Sequence, residues 1–391
     1  MHVAHLSDVL PPGIGGVETA LGTLFDAMPD VRFTVLASSA SLRPSRRLPP
    51  NVTVRPLILQ EIGRSVLGVF PARIRRNSGL LTYPLHEWER RQRVVLMSSD
   101  LVHMHSFSAF RYFANFSLRH PSVMARRLVD WLRDFEDYGP GLIFTDHSLF
   151  AGRRQQFDSI HGGLLVERLR HIVCVESTGK DNVEAFAREN GLDVDARWIP
   201  NPIDTSRFFR GPTHSRQRLV IGYAGRFEKQ GVDRVLGLIQ EAPDWAEFHL
   251  ALAGSDADRK RAGAQLQGFP VRIEWNVPNE SMPEFYNGID LFVDPLGFGA
   301  PRTSLEALSC GRIVIRLRRP ESMPGELPVE VSPVVDVSDP AGFFRRISSF
   351  RDRETLSRGG DASRRLAEDQ FSAVRVANEY RVAYRQVAKG H

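Results

Sequence analysis

Short runs of apolar residues recur along the chain. Between them, apolar residues return every three or four positions, the alternation expected of strands and amphipathic helices. In the first half the runs fall at His2–Ser7, Arg32–Ala37, Leu101–His105, Gly141–Thr145, His171–Val175 and Arg197–Ile199. Helical segments at Glu18–Ala27, Ser122–Phe135 and Lys180–Glu189 lie between them. Pro200-Asn201-Pro202-Ile203-Asp204 and the polar stretch Gly211–Arg216 then interrupt the pattern. Two prolines around an asparagine predict a boundary there. The alternation restarts with strands at Leu219–Ala224, Phe248–Ala253, Val271–Trp275, Leu291–Val293 and Ile313–Ile315, and helices at Val232–Glu241, Arg259–Gln267 and Ser304–Cys310. From Pro340 to Ala388 the period is helical almost throughout.

Strand–helix–strand order repeated in this way predicts an α/β protein with a parallel sheet wrapped by helices in each half. Ligands of such sheets bind at the carboxyl ends of the strands, so a cleft between two facing, doubly wound domains is the expected site. A chain of 391 residues has room for both. The expected division is 1–200, then 201–375, with a terminal helix over 376–391 packing back on the first domain.

Composition adds little to this and removes several classes. The chain is 42% hydrophobic and 25% charged, values of an ordinary globular protein. Its apolar runs, such as Leu250–Ala253, fall far short of the roughly 20 residues of a membrane span. The start Met1-His2-Val3-Ala4-His5-Leu6-Ser7 has no basic segment and no long apolar stretch, so no secretory signal is expected. Cys174 and Cys310 are too few for a disulfide framework and are expected to be buried thiols in a reducing cytoplasm. The net charge of +5 comes almost wholly from arginine, clustered at Arg43, Arg46, Arg47, Arg55, Arg64, Arg73, Arg75, Arg76, Arg90, Arg91 and Arg93. Such a cluster suits a solvated face, and equally a peripheral contact with an anionic membrane or a phosphorylated substrate. Nucleic acid is not expected, because no helix-turn-helix, zinc-finger or RNA-binding signature accompanies the charge.

Four stretches carry candidate chemistry. Pro11-Pro12-Gly13-Ile14-Gly15-Gly16-Val17-Glu18 follows the opening strand and enters a helix; glycines let the backbone approach a ligand there, and the first helical N–H groups form an anion site. It is not a G-x-G-x-x-G fingerprint, so a dinucleotide site is disfavoured. Gly222-Tyr223-Ala224-Gly225-Arg226-Phe227-Glu228-Lys229-Gln230-Gly231 is a second strand-end loop, whose Arg226 and Lys229 suit a diphosphate. In Gly299-Ala300-Pro301-Arg302-Thr303-Ser304-Leu305-Glu306, a helix start offers free N–H groups to phosphate, and Glu306 could accept from a ribose diol. Either cations or Glu306 could instead be ordinary solvated or dipole-complementing groups. Phe144-Thr145-Asp146-His147-Ser148 ends a strand on a histidine, which is structural or functional according to what it meets.

In this order, with Ile199-Pro200-Asn201-Pro202-Ile203-Asp204 at the hinge and Leu305-Glu306-Ala307-Leu308-Ser309-Cys310-Gly311 closing the series, the motifs resemble the retaining glycosyltransferases of family 4. These have the GT-B fold of two facing Rossmann-like domains. Phe144–Phe150, His171–Val175 and Val102–Ser108 are similar to the branch that places N-acetylglucosamine on phosphatidylinositol. The resemblance implies that Gly15 and Gly16 sit near the donor phosphates or reacting centre, and that His147 touches the donor sugar. It assigns Arg226 and Lys229 to the leaving diphosphate, with the backbone of Arg302, Thr303 and Ser304 around it. Glu306 takes the ribose, and Asn276 and Val277 the nucleobase. It implies no metal and no cofactor beyond the nucleoside-diphosphate sugar, with a uridine nucleotide the first expectation. Two positions depart from the family: Phe298 stands where a glutamate usually meets the sugar, and Lys229 lies one residue early, with Gln230 beside the closing glycine.

The function so implied is transfer of a hexose or modified hexose, with retention, to an unnamed small-molecule, lipid or glycan acceptor. The acceptor oxygen would attack from the leaving-group side, the protein supplying orientation and charge stabilisation. Two rivals are a nucleotide-sugar epimerase on the same scaffold, for which no carboxylate pair is evident, and a non-catalytic partner subunit, which Phe298 keeps in view.

Overall fold

A computed structural model of the chain describes residues 1–6, 16–38, 48–57, 95–105, 140–147, 169–211, 217–227, 232–295, 301–318, 327, 332, 334–336 and 340–389. They form two compact units, Met1–Pro200 with Val376–His391, and Asn201–Arg375.

Among the described residues the first unit has seven parallel strands, β1 (His2–Leu6), β2 (Arg32–Ser38), β3 (Val52–Leu57), β4 (Leu101–His105), β5 (Gly141–Asp146), β6 (His171–Cys174) and β7 (Asp195–Trp198), in the order β3-β2-β1-β4-β5-β6-β7. Strands β4 and β5 are buried along their whole length, as central strands covered on both faces must be. Helices α1 (Gly16–Asp26) and α9 (Ala373–Lys389) cover one face: Leu21, Leu24 and Phe25 join Tyr380, Ala383, Tyr384 and Val387 over Val3, Phe33, Leu101 and Ile143. On the other face Val183 of α2 (Ser177–Glu189) packs with Ala4, Leu36, Val102, Phe144 and Ile172.

The described residues of the second unit form six parallel strands, β8 (Leu219–Arg226), β9 (Ala246–Ala253), β10 (Val271–Trp275), β11 (Leu291–Asp294), β12 (Ile313–Arg318) and β13 (Val334–Asp336), ordered β10-β9-β8-β11-β12-β13. Around it lie α3 (Val232–Gln240), α4 (Asp256–Leu266), α5 (Met282–Asn287), α6 (Arg302–Ser309), α7 (Pro340–Ile347) and α8 (Arg353–Leu366). Val235, Leu236 and Ile239 of α3 and Phe343, Phe344 and Ile347 of α7 bury the sheet face carrying Ile221, Leu250, Val293 and Ile315. Sequence fixes the starts of two helices locally. Ser255 and Asp258 close a capping box on α4, and the Asp352 carboxylate accepts from Thr355 N on α8, each worth about 1 kcal/mol. Both the strand–helix alternation and the helical carboxyl end expected from sequence are present. β3 and β13 were not expected: both are edge strands, one interrupted by Arg55-Pro56, and edge positions need no continuous apolar run.

Cys174 and Cys310 are buried free thiols, and burial pushes Cys310 up to about 12. Among the described residues no helix is long and apolar enough to cross a membrane. The expected helix Ser122–Phe135 and, Arg55 apart, the arginine cluster lie outside the described residues.

Candidate functional site

A doubly wound sheet opens a crevice where neighbouring strands send their connections to opposite sides. In the second sheet that point lies between β8 and β11, because β9 and β10 follow β8 on one side while β11 and β12 lie on the other. Arg226 is the last residue of β8 and is exposed. Gly225 precedes it under the Tyr223 hydroxyl, which a Cβ at 225 would strike. Burial first, then the Asp294 charge, push that phenol up to about 12, so it stays a neutral donor.

Two strands along the sheet from β8, just past the end of β10, Asn276 sits in the left-handed region at φ 53°, a conformation asparagine tolerates better than most residues. Its backbone N donates to Leu252 O at 2.7 Å. Its side chain is spent on Gly254: Oδ1 accepts from the Gly254 amide at 3.1 Å, and Nδ2 donates to the Gly254 carbonyl at 3.2 Å. The amide thus ties β9 to β10. What remains for a ligand is the turned backbone there and half-buried Val277.

Helix α6 follows β11 and starts at Arg302 behind Pro301, with no side-chain cap. The first turn therefore keeps N–H groups for an anion, backed by the helix dipole. Ser304 gives little: its amide donates to Pro301 O at 2.9 Å, and its hydroxyl is buried, 3.4 Å from Asp294 Oδ2. Thr303 is half-buried on the same turn. Glu306 faces inward. Arg302 Nε donates to its Oε1 at 2.9 Å, and Tyr286 Oη donates to its Oε2 at 2.8 Å. Burial, and then the Glu306 charge, push the Tyr286 phenol well above its ordinary range. The Arg302 Nη1 is buried without a partner. The carboxylate is thus held rigidly from two sides, and each oxygen keeps a lone pair for a further donor. Lys229, Gly15 and Phe298 lie outside the described residues.

In the first sheet the corresponding point lies between β1 and β4. Gly16, exposed, opens α1 beyond β1. His147 stands just past the end of β5, and it is not isolated. Its Nε2 lies 3.2 Å from Nδ1 of His105, whose Nε2 lies 2.9 Å from Nδ1 of His5. His103 runs a parallel branch, with Nδ1 2.7 Å from Tyr384 Oη and Nε2 2.6 Å from Thr145 Oγ1, which is 3.3 Å from Tyr380 Oη. Burial holds His5 at about 3 and His147 at about 4. Burial, then the neighbouring imidazoles, hold His103 and His105 well below the ordinary range. All four rings are therefore neutral at pH 7, each with one donor and one acceptor nitrogen. One nitrogen each of His5, His103 and His105 falls within 4.8 Å of the others, a spacing metal ions accept. His103 spends both nitrogens on Tyr384 and Thr145, however, and His5 bonds His105 directly, so the group is assembled as a hydrogen-bond network.

Sequence motifs thus find the strand-end positions and miss the residues beneath them. Tyr286 and Asp294 carry no motif. His5 and the pair His103 and His105 had a signal: an i, i+2 pair in a strand shares one face, and His5 pairs in register with His103.

Residues 218–351 match the family model described as glycosyl transferases group 1. A comparison with curated proteins finds no significant match. Sucrose-phosphate synthase from Thermosynechococcus elongatus is similar in structure, with a TM-score of 0.69 at 17% identity over 100% of both chains. Alr3699/HepE of Anabaena in complex with UDP gives 0.68 at 14%, covering 99% of this chain and 100% of that one. The catalytic domain of starch synthase IV from Arabidopsis thaliana, bound to ADP and acarbose, gives 0.62 at 13% over 99% of each. At these identities the likeness is one of fold, and the fold is that of GT-B glycosyltransferases.

Proposed function

We propose that the chain is a glycosyltransferase that moves a hexose or modified hexose from a nucleoside-diphosphate sugar to an acceptor hydroxyl, with retention of configuration. The observation that carries this reading is one of placement. The stretch matching the glycosyl transferases group 1 model, 218–351, spans the carboxyl edge of the second sheet, with Arg226, Asn276 and the start of α6 on it.

In this reading Arg226, with Lys229, meets the diphosphate, and the open N–H groups at Arg302 and Thr303 take its remaining oxygens. Glu306, braced by Arg302 and Tyr286, accepts from the ribose diol, and the backbone of Asn276 and Val277 lies against the base. Guanidinium and helix terminus supply the positive field a metal would otherwise supply. Gly16 and His147, on the first sheet, are assigned to the sugar and the reacting centre. Departure of the diphosphate then leaves charge where donors already stand, at no cost in reorganisation. A uridine nucleotide is the first candidate, since HepE of Anabaena was solved with UDP-glucose. Membership of family 4, action on a lipid-linked acceptor and attachment to an anionic membrane through the arginine cluster belong to the same proposal.

The test is turnover. Arg226→Ala is expected to lower kcat by roughly 10²–10³, as loss of one charge-stabilising donor does, with the urea midpoint unchanged. An unimpaired rate removes the clamp. Absence of nucleoside-diphosphate release with every donor and acceptor tried removes the reading, and favours a non-catalytic partner subunit.

A further inference from the structure

Three imidazoles, on β1, β4 and just past β5, form an unbranched chain: His5 Nδ1 to His105 Nε2, and His105 Nδ1 to His147 Nε2. A neutral imidazole carries one proton. The central ring, His105, must therefore accept at one nitrogen and donate at the other, and the two hydrogen bonds point the same way. Only two proton arrangements exist. Either all the protons run from His5 towards His147, leaving His147 with an Nδ1–H, or they run from His147 towards His5, leaving His147 with a bare Nδ1. The chain ends are the two nitrogens that are buried and without a hydrogen-bond partner, His5 Nε2 and His147 Nδ1.

The two arrangements are not equivalent. The first puts every proton on Nδ1 and the second puts every proton on Nε2, the nitrogen a neutral histidine side chain intrinsically favours, and the chain adds that preference over three rings. His147 stands at the carboxyl edge of the sheet, beside the strand pair where connections diverge. A lone pair there stays unsatisfied unless a donor meets it. A combined preference of about 1.4 kcal/mol makes one direction tenfold dominant. The His103 branch does not compete, because both its nitrogens are engaged with Tyr384 and Thr145.

We propose that His5 and His105 are positioning residues that hold His147 as the Nε2–H tautomer, with a bare Nδ1 that accepts a hydrogen bond from a substrate hydroxyl. The last step rests on the proposed function, which makes this edge a substrate edge; the proton direction does not. The arrangement gives His147 a fixed role as acceptor rather than donor, and so selects a hydroxyl over a carbonyl or ether oxygen at that point of the substrate.

The full-length protein labelled with ¹⁵N-histidine, without substrate, tests the chain by long-range ¹H–¹⁵N correlation at pH 7. His5, His105 and His147 are each expected as a single Nε2–H tautomer with an unprotonated Nδ1. A protonated Nδ1 on His147, or signals averaged between both tautomers, overturns the proposal. His105→Phe breaks both links and is expected to turn His147 into an averaged signal. His105→Gln, able to donate at one atom and accept at the other, is expected to keep it single, and equal behaviour of the two variants also overturns the proposal. In turnover with a nucleotide sugar, His5→Phe is expected to raise the donor KM about 5–20-fold with kcat within about twofold, the mark of lost uniform binding. An unchanged KM refutes the hydroxyl contact. Should no donor turn over at all, the proposed function fails while the tautomer measurement still decides the chain.

Discussion

Replacing Tyr286 by phenylalanine removes one oxygen from a site the ligand itself need not touch. The hydroxyl donates to Glu306 Oε2 at 2.8 Å, and the two side chains are almost wholly buried, at 0% and 4% exposure. A hydrogen bond to a charged group contributes about 1.5–3 kcal/mol. Phenylalanine fills the ring's space, so no cavity term is added, and the loss is the stranded carboxylate oxygen alone. The expected destabilisation of the second unit is about 2 kcal/mol, which at the size of such a domain lowers its midpoint by roughly 4–8 °C. Urea unfolding followed by the fluorescence of Trp245 and Trp275, both in this unit, measures it. Glu306→Gln and the double variant complete a cycle. A neutral amide still accepts from Tyr286, at the smaller net value of about 0.5–1.5 kcal/mol, so the coupling between the two positions is expected near 1 kcal/mol. A Tyr286→Phe loss under about 0.5 kcal/mol, or a coupling indistinguishable from zero, would refute the claim that Tyr286 braces this carboxylate. If the bracing serves ligand binding, the same variant weakens nucleoside diphosphate in a thermal-shift titration while Arg226 remains in place.

Other outcomes follow from single contacts. A Cβ at Gly141 would strike the Val387 side chain and come within 2.8 Å of the Val387 carbonyl; because the second obstacle is backbone, Gly141→Ala is expected to cost about 1–3 kcal/mol and to speed hydrogen exchange along α9. Exchange rates on α9 equal to those of the parent chain would contradict that. The buried histidines predict an acid limb for the first unit. His5 and His147 fold with values of about 3 and 4, below the ordinary 6.5, so the unfolded chain binds protons first. The stability they contribute is complete above about pH 6.5 and is lost as pH falls towards 4, at about 1.4 kcal/mol per pH unit for each histidine titrating. His5→Phe should flatten that limb, and a stability flat between pH 6.5 and 4.5 in the parent chain would count against burial of neutral rings.

Much of the architecture was present in the order of residues. Strands β4 and β10 fall at the expected bounds for different reasons: β4 is buried along its whole length, as a strand covered on both faces must be, whereas at the sheet edge Val271, Ile273 and Trp275 of β10 alternate with Arg272 and Glu274. The turns beyond β8 and before α6 were marked by Gly225, Pro301 and their neighbours, since glycine and proline restrict backbone geometry locally. Helix α4 began three residues ahead of expectation, where Ser255 and Asp258 cap it. Edge strands β3 and β13 had no comparable signal.

The site divides along the same line. Arg226 and the start of α6 are positions in a chain, and a motif can name them. What each side chain does there is a matter of partners distant in sequence. Glu306 is oriented by Tyr286, Asn276 spends its amide on Gly254, Ser304 turns in to Asp294, and His147 ends a chain that begins at His5. Local sequence fixes backbone conformation because its determinants lie within a few residues. Hydrogen-bond direction and protonation are decided only when the sheet brings strands together, since burial removes the water that would otherwise serve every donor and acceptor alike.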